Sequence, residues 1–268
     1  MKRSTGIGIA DVQAVYGGPE GRLWELVMGQ QVHIGGFRAS MELADRAAIR
    51  PGATGVDLCC CTGAGMRFLV RFRSVAHMQG VDCTPAVIEV GIGRCAAEGL
   101  GDKISFTQAD ARETGLAAAS FDFVWGEDAW CYVDEKDRLI AEVVRLVKPG
   151  GVVAFTDWIE GPSGLTEDEA GRFLRFMKFP SIETLSGYSR LLSDRGCEVE
   201  LAQDTGQFAR HVDLYIDMLD LQLTSDALRL VGFDAVVMER LAGEMTFMQR
   251  LAHDGKIAQG RFVARRRA

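Results

Sequence analysis

The chain has 268 residues, of which 47% are hydrophobic, so it is long enough for one large core and is predicted to be a single domain. Its 30 basic and 37 acidic side chains give a net charge of −7, which disfavours nucleic acid as a partner. Seven cysteines include the run Cys59–Cys61 but show no zinc-type spacing, so no metal site is expected and a reducing, cytoplasmic setting is predicted. No apolar run approaches the ~20 residues of a membrane span, so no membrane partner is expected.

The first 160 residues change from a helical to an alternating pattern. Residues 1–18 look irregular, and helices are predicted over 19–30 and 37–49, where Arg50-Pro51-Gly52 stops the second one. Predicted strands then cover 54–60, 75–82, 104–108, 121–126 and 152–157, with helices over 65–72, 85–98 and 135–146. Such alternation predicts parallel strands joined by right-handed crossovers.

The remaining residues follow a different pattern. Helices are predicted over 166–179 and 181–195, a strand over 197–202, helices over 207–223 and 225–252, and a final strand over 257–265. The helical stretch between the last two strands is too long for a simple connection, so it is predicted to cap the ligand edge of the sheet. The helices over 166–195 could also form a homodimer face.

A loop of small residues follows the first of the alternating strands. It runs from Asp57 to Gly65, and its backbone N–H groups at the helix start could bind a ligand carboxylate. Asp57 could meet the ammonium of an amino-acid group. On its own, such a loop is equally typical of an ordinary strand-to-helix turn.

Acidic residues also follow the next three strands. Asp82 ends the second strand, where a carboxylate can accept both hydroxyls of a ribose. Asp110 follows the third strand, where it could accept from an adenine amino group, and Glu127 and Asp128 follow the fourth. Each acid alone is more typical of a solvated loop. Because carboxyl ends of parallel strands meet at one edge, the whole row favours one ligand site.

The segment from about Thr54 to Asp157 resembles the class I S-adenosylmethionine-dependent methyltransferases. Asp57 to Gly65 corresponds to the acidic residue and glycine-rich loop of that family, with Cys59 and Cys61 in place of the first two glycines, and Arg145–Gly151 is similar to its phrase before the fifth strand. The resemblance implies S-adenosylmethionine as cofactor. The implied cofactor-binding residues are His33, Asp57, Cys59, Thr62, Gly63, Asp82, Cys83, Asp110, Ala111 and Glu127.

A wider resemblance, to the sarcosine/dimethylglycine N-methyltransferases, covers most of the chain. It rests mainly on Gln31–Gly36, similar to an N-terminal phrase that closes over the cofactor, and on Val124–Ala129. Phe155–Asp157, Asp204-Thr205 with His211, and Gly255–Ile257 also fit.

The predicted fold is therefore α/β, with a Rossmann-like, mostly parallel seven-stranded sheet, helices on both faces and a helical cap inserted between the last two strands. The single domain is divided into an N-terminal helical lid at 1–50, a cofactor-binding core at 51–160, a substrate cap at 161–256 that also contributes the strand at 197–202, and the last strand and tail at 257–268.

The chemistry of methyl transfer needs few protein groups, because the sulfonium already makes the methyl electrophilic and positioning supplies most of the rate. The predicted catalytic residues are His211, Tyr132 and Asp128, with His211 as the proton acceptor. The predicted substrate-binding residues are Trp125, Trp130, Trp158 and Arg210. The tryptophan rings would face an amine of the substrate, and the Arg210 guanidinium would pair with a substrate carboxylate. Core packing of the rings and a solvated Arg210 are the alternatives.

The predicted function is methyl transfer to a small molecule, with an amine nitrogen ahead of oxygen or carbon. An O- or C-methyltransferase of specialised metabolism is the alternative among enzymes. A non-catalytic S-adenosylmethionine-binding protein is another class, and the absence of a full G-x-G-x-x-G counts against a nicotinamide oxidoreductase. The three adjacent cysteines are expected to pack rather than to react.

Overall fold

The central sheet has nine strands in the computed structural model, which describes residues 1–268. Strands β1–β9 span Lys2–Arg3, Thr54–Leu58, His77–Asp82, Ile104–Gln108, Phe121–Glu127, Val147–Glu160, Ser181–Thr184, Cys197–Asp204 and Ile257–Arg266. Seven of them lie in the order β4-β3-β2-β5-β6-β9-β8, in which β9 runs in the opposite direction to the other six. The predicted mostly parallel α/β sheet is confirmed, and the strand order reverses between β2 and β5, which places the switch point there.

Two short strands raise the count above the predicted seven. Strand β7 pairs with the last two residues of β6, and β1 pairs with β7. The predicted helix over 181–195 is wrong in its first turn, since the helix begins at Leu185 after a strand. Thr184 ends the strand and caps the helix, because its hydroxyl accepts a hydrogen bond from Gly187 N at 2.9 Å.

Eleven α-helices accompany the sheet. Helices α1–α11 span Ile9–Tyr16, Pro19–Met28, Gly36–Arg46, Ala64–Phe72, Pro85–Ala97, Lys136–Leu146, Glu167–Met177, Leu185–Asp194, Phe208–Met218, Thr224–Leu230 and Ala235–His253. A π-helical turn at Leu219–Leu223 connects α9 to α10. None of the helices combines the length and apolar character that a membrane span requires.

Helix α1 lies in a segment predicted to be irregular, so that prediction is wrong. Its start is fixed by Asp11, whose carboxylate accepts from Gly8 N at 2.9 Å. Val12 and Val15 are buried, and Gln13 Nε2 donates to Cys83 O at 2.7 Å. These contacts hold α1 against the loop that follows β3.

The hydrophobic core has three parts. One contains β5, α6 and α8, and another contains α3, α4 and β3. The third joins the N-terminal helices to the helices that follow β6, through residues such as Trp24, Ile34, Trp158, Phe173 and Val212. The N-terminal and C-terminal helical segments therefore form one packed layer.

Candidate functional site

A cavity lies at the carboxyl ends of β2, β3, β4 and β5, under helix α1. It is lined by loop residues after these four strands, by N-terminal residues and by a few residues beyond β5: Ile7, Gly8, Ile9, Val12, Tyr16, Gln30, Gln31, Val32, Asp57, Cys59, Cys60, Cys61, Thr62, Ala64, Gly65, Asp82, Cys83, Thr84, Val87, Ala109, Asp110, Ala111, Arg112, Glu127, Asp128, Ala129, Tyr132, Val133, Asp134 and Pro180. The row of strand-end residues singled out in the sequence thus surrounds one space.

The loop after β2 follows a backbone path that favours glycine. Cys59 has φ 64° and Cys61 has φ 47°, both in the left-handed region, and Gly63 has φ 73°. Cys59 N and Cys60 N both donate to Val81 O, at 2.8 and 3.1 Å. The two cysteines therefore keep the turn that glycines would make.

Among the cysteines of this loop, Cys60 is buried, and Cys59 and Cys61 are half-buried. Burial raises the pKa of Cys61 to about 12, and burial also raises the pKa values of Cys59 and Cys60 well above their usual range. A neutral thiol is a poor nucleophile and a poor metal ligand. This environment therefore favours packing roles for Cys59, Cys60 and Cys61 over nucleophilic attack or metal binding.

A Cys59→Gly/Cys61→Gly variant is expected to bind cofactor about as well as the wild type. The left-handed conformation costs an L-residue roughly 1–2 kcal/mol and glycine's extra freedom in the unfolded chain costs roughly 0.5–1 kcal/mol, so the double change should leave the free energy of unfolding equal or slightly higher. Calorimetric titration and chemical denaturation measure both quantities.

The matched control is Cys60→Gly. Cys60 lies outside the left-handed region and is buried against Met66, so this change should destabilise the fold by roughly 1–2 kcal/mol. If the folded double variant lost methyl transfer, the thiols of Cys59 and Cys61 would have a chemical role.

Two carboxylates converge on Gly65 at the first turn of α4. A Cβ atom at Gly65 would lie 2.8 Å from Glu127 Oε2, 3.4 Å from Asp57 Oδ2 and 3.3 Å from Trp125 Nε1. Burial, together with the charges of Glu127 and Asp82, raises the pKa of Asp57 well above its usual range. Trp125 Nε1 is buried and has no hydrogen-bond partner. Only glycine leaves room for a ligand group here, and a cation would relieve the repulsion between the acids.

Ser40 on α3 and His33 just before α3 hold Glu127. Ser40 Oγ donates to Glu127 Oε1 at 2.7 Å, and His33 Nε2 lies 3.3 Å from the same oxygen. His33 is only 1% exposed and lies behind the cavity lining, with Nδ1 3.2 Å from Ile34 O. His33 would therefore act on a ligand only indirectly, by positioning Glu127.

Asp82 organises two loops at once. Its carboxylate accepts from Cys61 N at 2.9 Å and from Thr84 N at 2.8 Å. Burial raises the pKa of Asp82, while these backbone hydrogen bonds oppose the rise. The same carboxylate lines the cavity, where it could accept from a ligand hydroxyl.

Asp110 is paired with an arginine that the sequence analysis missed. Arg112 Nε lies 3.0 Å from each carboxylate oxygen, and Arg112 Nη2 lies 2.6 Å from Oδ2. Although desolvation opposes it, these contacts lower the pKa of Asp110. Arg112 also donates to Glu135 at 2.6 Å, so its charge is shared between two carboxylates.

A pair of tyrosines also lines the cavity. Tyr16 and Tyr132 approach with hydroxyl oxygens 2.8 Å apart and ring centroids 5.3 Å apart. Burial raises the pKa values of both phenols well above their usual range. Tyr16 was missed because α1 was not predicted; the buried spacing Val12, Val15, Tyr16 is the helical signal that could have found it.

Asp128 is occupied by structural contacts. Its carboxylate accepts from Ile34 N at 2.8 Å and from Gln259 Nε2 at 2.8 and 2.9 Å. Burial raises the pKa of Asp128, although the charge of His33 and these hydrogen bonds oppose the rise. Asp128 thus ties the segment before α3 to β9, and as placed it acts as a positioning residue beside the cavity.

His211 lies beside the N-terminal segment rather than in the cavity lining. Its Nδ1 donates to Gln207 O at 2.9 Å, and a Cβ atom at Gly35 would lie 3.6 Å from His211 Nε2. Arg210, its neighbour on α9, is exposed. Both residues therefore lie away from the space under α1.

The predicted substrate-binding tryptophans also lie outside the lining. Trp130 donates from Nε1 to Leu58 O at 3.3 Å and stacks on Phe155, with ring centroids 4.0 Å apart. Trp158 is 4% exposed and packs edge-to-face on Phe208. Gly63 lies at the start of α4, also outside the lining.

Of the seventeen residues predicted from sequence, the lining contains Asp57, Cys59, Thr62, Asp82, Cys83, Asp110, Ala111, Glu127, Asp128 and Tyr132.

Known proteins match both the sequence and the fold. Residues 56–155 match the family described as a methyltransferase domain. Phosphoethanolamine N-methyltransferase 1 of Triticum aestivum is 26% identical over 189 residues, which cover 70% of this chain and 37% of that protein. Relatives named for O- and C-methylation also match. The chain spans 37–63% of the length of the first curated relatives.

Solved structures of similar shape cover nearly the whole chain. A protein described as a sarcosine dimethylglycine methyltransferase from Galdieria sulphuraria has a TM-score of 0.83 at 21% identity, covering 92% of this chain and 97% of that one. Phosphoethanolamine N-methyltransferase 2 of Haemonchus contortus, in complex with S-adenosyl-L-methionine, has a TM-score of 0.83 at 18% identity, covering 95% and 58%. Residues 56–155 therefore match a methyltransferase domain, and the predicted resemblance of this chain to Rossmann-like S-adenosylmethionine-dependent methyltransferases is confirmed.

Proposed function

We propose that this chain is an enzyme that transfers a methyl group from S-adenosylmethionine to a small molecule, with an amine nitrogen as the acceptor. The observation that carries the proposal is the single cavity in which Asp57, Asp82 and Asp110 face the space under α1. The methyltransferase domain at 56–155 and its relatives support the same activity and cofactor.

The residues present fit the cofactor. Asp57 and Glu127 would hold its ammonium group, Asp82 its ribose hydroxyls, and Asp110 would lie near its adenine. When bound, S-adenosylmethionine supplies an electrophilic methyl group on a positively charged sulfur. The chain's task is then to position the nucleophile and exclude water.

The surroundings of the tyrosine pair favour nitrogen over oxygen. Asp128 is engaged by Ile34 and Gln259, and burial keeps the Tyr132 phenol protonated. Neither of these two predicted residues is thus poised as a general base. A neutral amine attacks without one, whereas a hydroxyl must lose its proton. The O- and C-methyltransferase relatives make those acceptors the second candidate.

We further propose roles for the segments that precede and follow the cofactor-binding core. Residues 1–50 act as a lid, because α1 covers the cavity and Gln13 bonds to Cys83. Residues 161–256 act as a substrate cap that contacts the cavity through Pro180. A cytoplasmic location and a homodimer face over 166–195 remain predictions.

The test is methyl transfer from labelled S-adenosylmethionine to a panel of small amines, phenols and carboxylates, with the wild type and His211→Ala. We expect transfer to amines, and less than about a tenfold loss of turnover in His211→Ala at every pH, because an amine needs positioning only. Cofactor affinity should be unchanged, since His211 lies outside the cavity lining.

Two results would contradict this reading. A loss of roughly 10²–10⁴-fold in His211→Ala, with a pH-dependent rate, would indicate a required base and hence a hydroxyl acceptor. Binding of S-adenosylmethionine without transfer to any acceptor would favour a non-catalytic binding protein.

A further inference from the structure

The ionisable groups of the cavity are strongly unbalanced. Six carboxylates line it, from Asp57, Asp82, Asp110, Glu127, Asp128 and Asp134, against one guanidinium. That guanidinium, of Arg112, is paired with Asp110 and Glu135. No lysine lines the cavity, so no basic side chain there is left to receive an anionic group of an acceptor.

The helix that covers the cavity does not provide an anion site either. Gly8 and Ile9 at the start of α1 line the space, and helix N-termini commonly bind anions through free N–H groups. Here Gly8 N already donates to Asp11 Oδ2 at 2.9 Å. The negative charge of Asp11 therefore already lies at this helix start, where it disfavours a second anion.

The remaining wall beside the tyrosine pair is apolar. It is formed by Ile7, Ile9, Val12, Val133 and Pro180, together with the rings of Tyr16 and Tyr132. Burying an unpaired anion against such a wall costs several kcal/mol, whereas apolar surface is favoured there.

On the basis of the methyltransferase activity proposed above, we infer that the acceptor is an amine on an apolar body without a phosphate or carboxylate group. The apolar body of such an amine gains from the apolar wall, and its neutral nitrogen leaves no charge unpaired there. The chain would then differ in acceptor from a phosphoethanolamine N-methyltransferase, whose substrate carries a phosphate.

The first experiment compares amines with and without an anionic group, together with an anion that carries no amine. S-adenosylhomocysteine-saturated protein is titrated by calorimetry with phenethylamine, phenylalanine, phenylacetate and phosphoethanolamine, and the labelled-methyl assay is run with the three amines. We expect phenethylamine to bind and react at least about tenfold better than each anionic compound, the difference of one unpaired charge interaction. Equal or better binding or turnover of phenylalanine or phosphoethanolamine would overturn the inference, as would failure of phenethylamine to bind.

A second experiment asks whether a new cation changes the preference. Ile9 is 38% exposed at the cavity edge, so Ile9→Lys should fold normally, with Ile9→Gln as the matched uncharged control. We expect Ile9→Lys to lower the ratio of the affinity for phenethylamine to the affinity for phenylalanine severalfold. Ile9→Gln should leave this ratio unchanged. An equal effect of the two variants would contradict the charge argument.

These results separate the two proposals. Absence of S-adenosylhomocysteine binding would refute the proposed function itself. Methyl transfer to anionic acceptors would leave that function intact and refute only the acceptor class.

Discussion

Replacing Asp82 with alanine is expected to weaken S-adenosylmethionine binding by roughly 10- to 100-fold, the usual loss for a charge-assisted hydrogen bond. The change removes the carboxylate that would hold the ribose. It also leaves Cys61 N and Thr84 N without their acceptor, so both loops around the cofactor become less ordered. Calorimetric titration of the purified variant measures the loss.

The control is Asp102→Ala, which removes an exposed carboxylate from the turn before β4 and should leave affinity unchanged. Asp82→Asn keeps one acceptor oxygen and should show an intermediate loss. If Asp82→Ala unfolded in a thermal melt, Asp82→Asn would provide the measurement. Unchanged affinity in a folded variant would remove Asp82 from the binding site.

The cofactor side of the cavity could be predicted because its chemistry is local. Each acid lies at or just after the carboxyl end of a strand of its own, and these ends meet at one edge of a parallel sheet whatever the rest of the chain does. Asp57, Asp82, Asp110 and Glu127 therefore came together as expected. Arg112 was missed because an arginine two residues after an acid has no periodic signature.

The acceptor side could not be predicted in the same way. Tyr16 and Tyr132 are 116 residues apart, and their contact depends on how α1 packs over the sheet. Helix α1 has only 8 residues and follows a glycine-rich start, so propensity alone gave no helix there. His211 and Trp158 showed the right residue types but packed elsewhere, because residue type does not fix tertiary position.

The conformation of strand β7 also depends on tertiary contacts that the sequence pattern does not reveal. Ser181 and Glu183 are polar, and the segment joins a helical pattern on its C-terminal side, which favoured a continuous helix. Pairing with the end of β6 decides the conformation instead. Tertiary hydrogen bonds thus override the local pattern.

The affinity for S-adenosylmethionine is expected to fall by up to about tenfold for each pH unit below the pKa of Asp57. In the free protein, burial and Glu127 raise that pKa well above its usual range. An ammonium held beside Asp57 stabilises the carboxylate and lowers the pKa again, so binding releases a proton. Affinity therefore rises with pH through this interval, and falls again above about pH 8 as the cofactor ammonium loses its own proton.

Calorimetry in two buffers of different ionisation enthalpy, between pH 5 and 8, counts the proton released on binding. Asp57→Asn cannot ionise, so it should bind more weakly at neutral pH and release correspondingly less proton, while S-adenosylhomocysteine, which keeps the ammonium, should behave like the cofactor. Glu127→Gln is the matched variant, because it removes the second carboxylate near Gly65 and leaves Asp57 in place. Proton release that is the same in Asp57→Asn as in the wild type would contradict the prediction, because a group other than Asp57 would then release the proton.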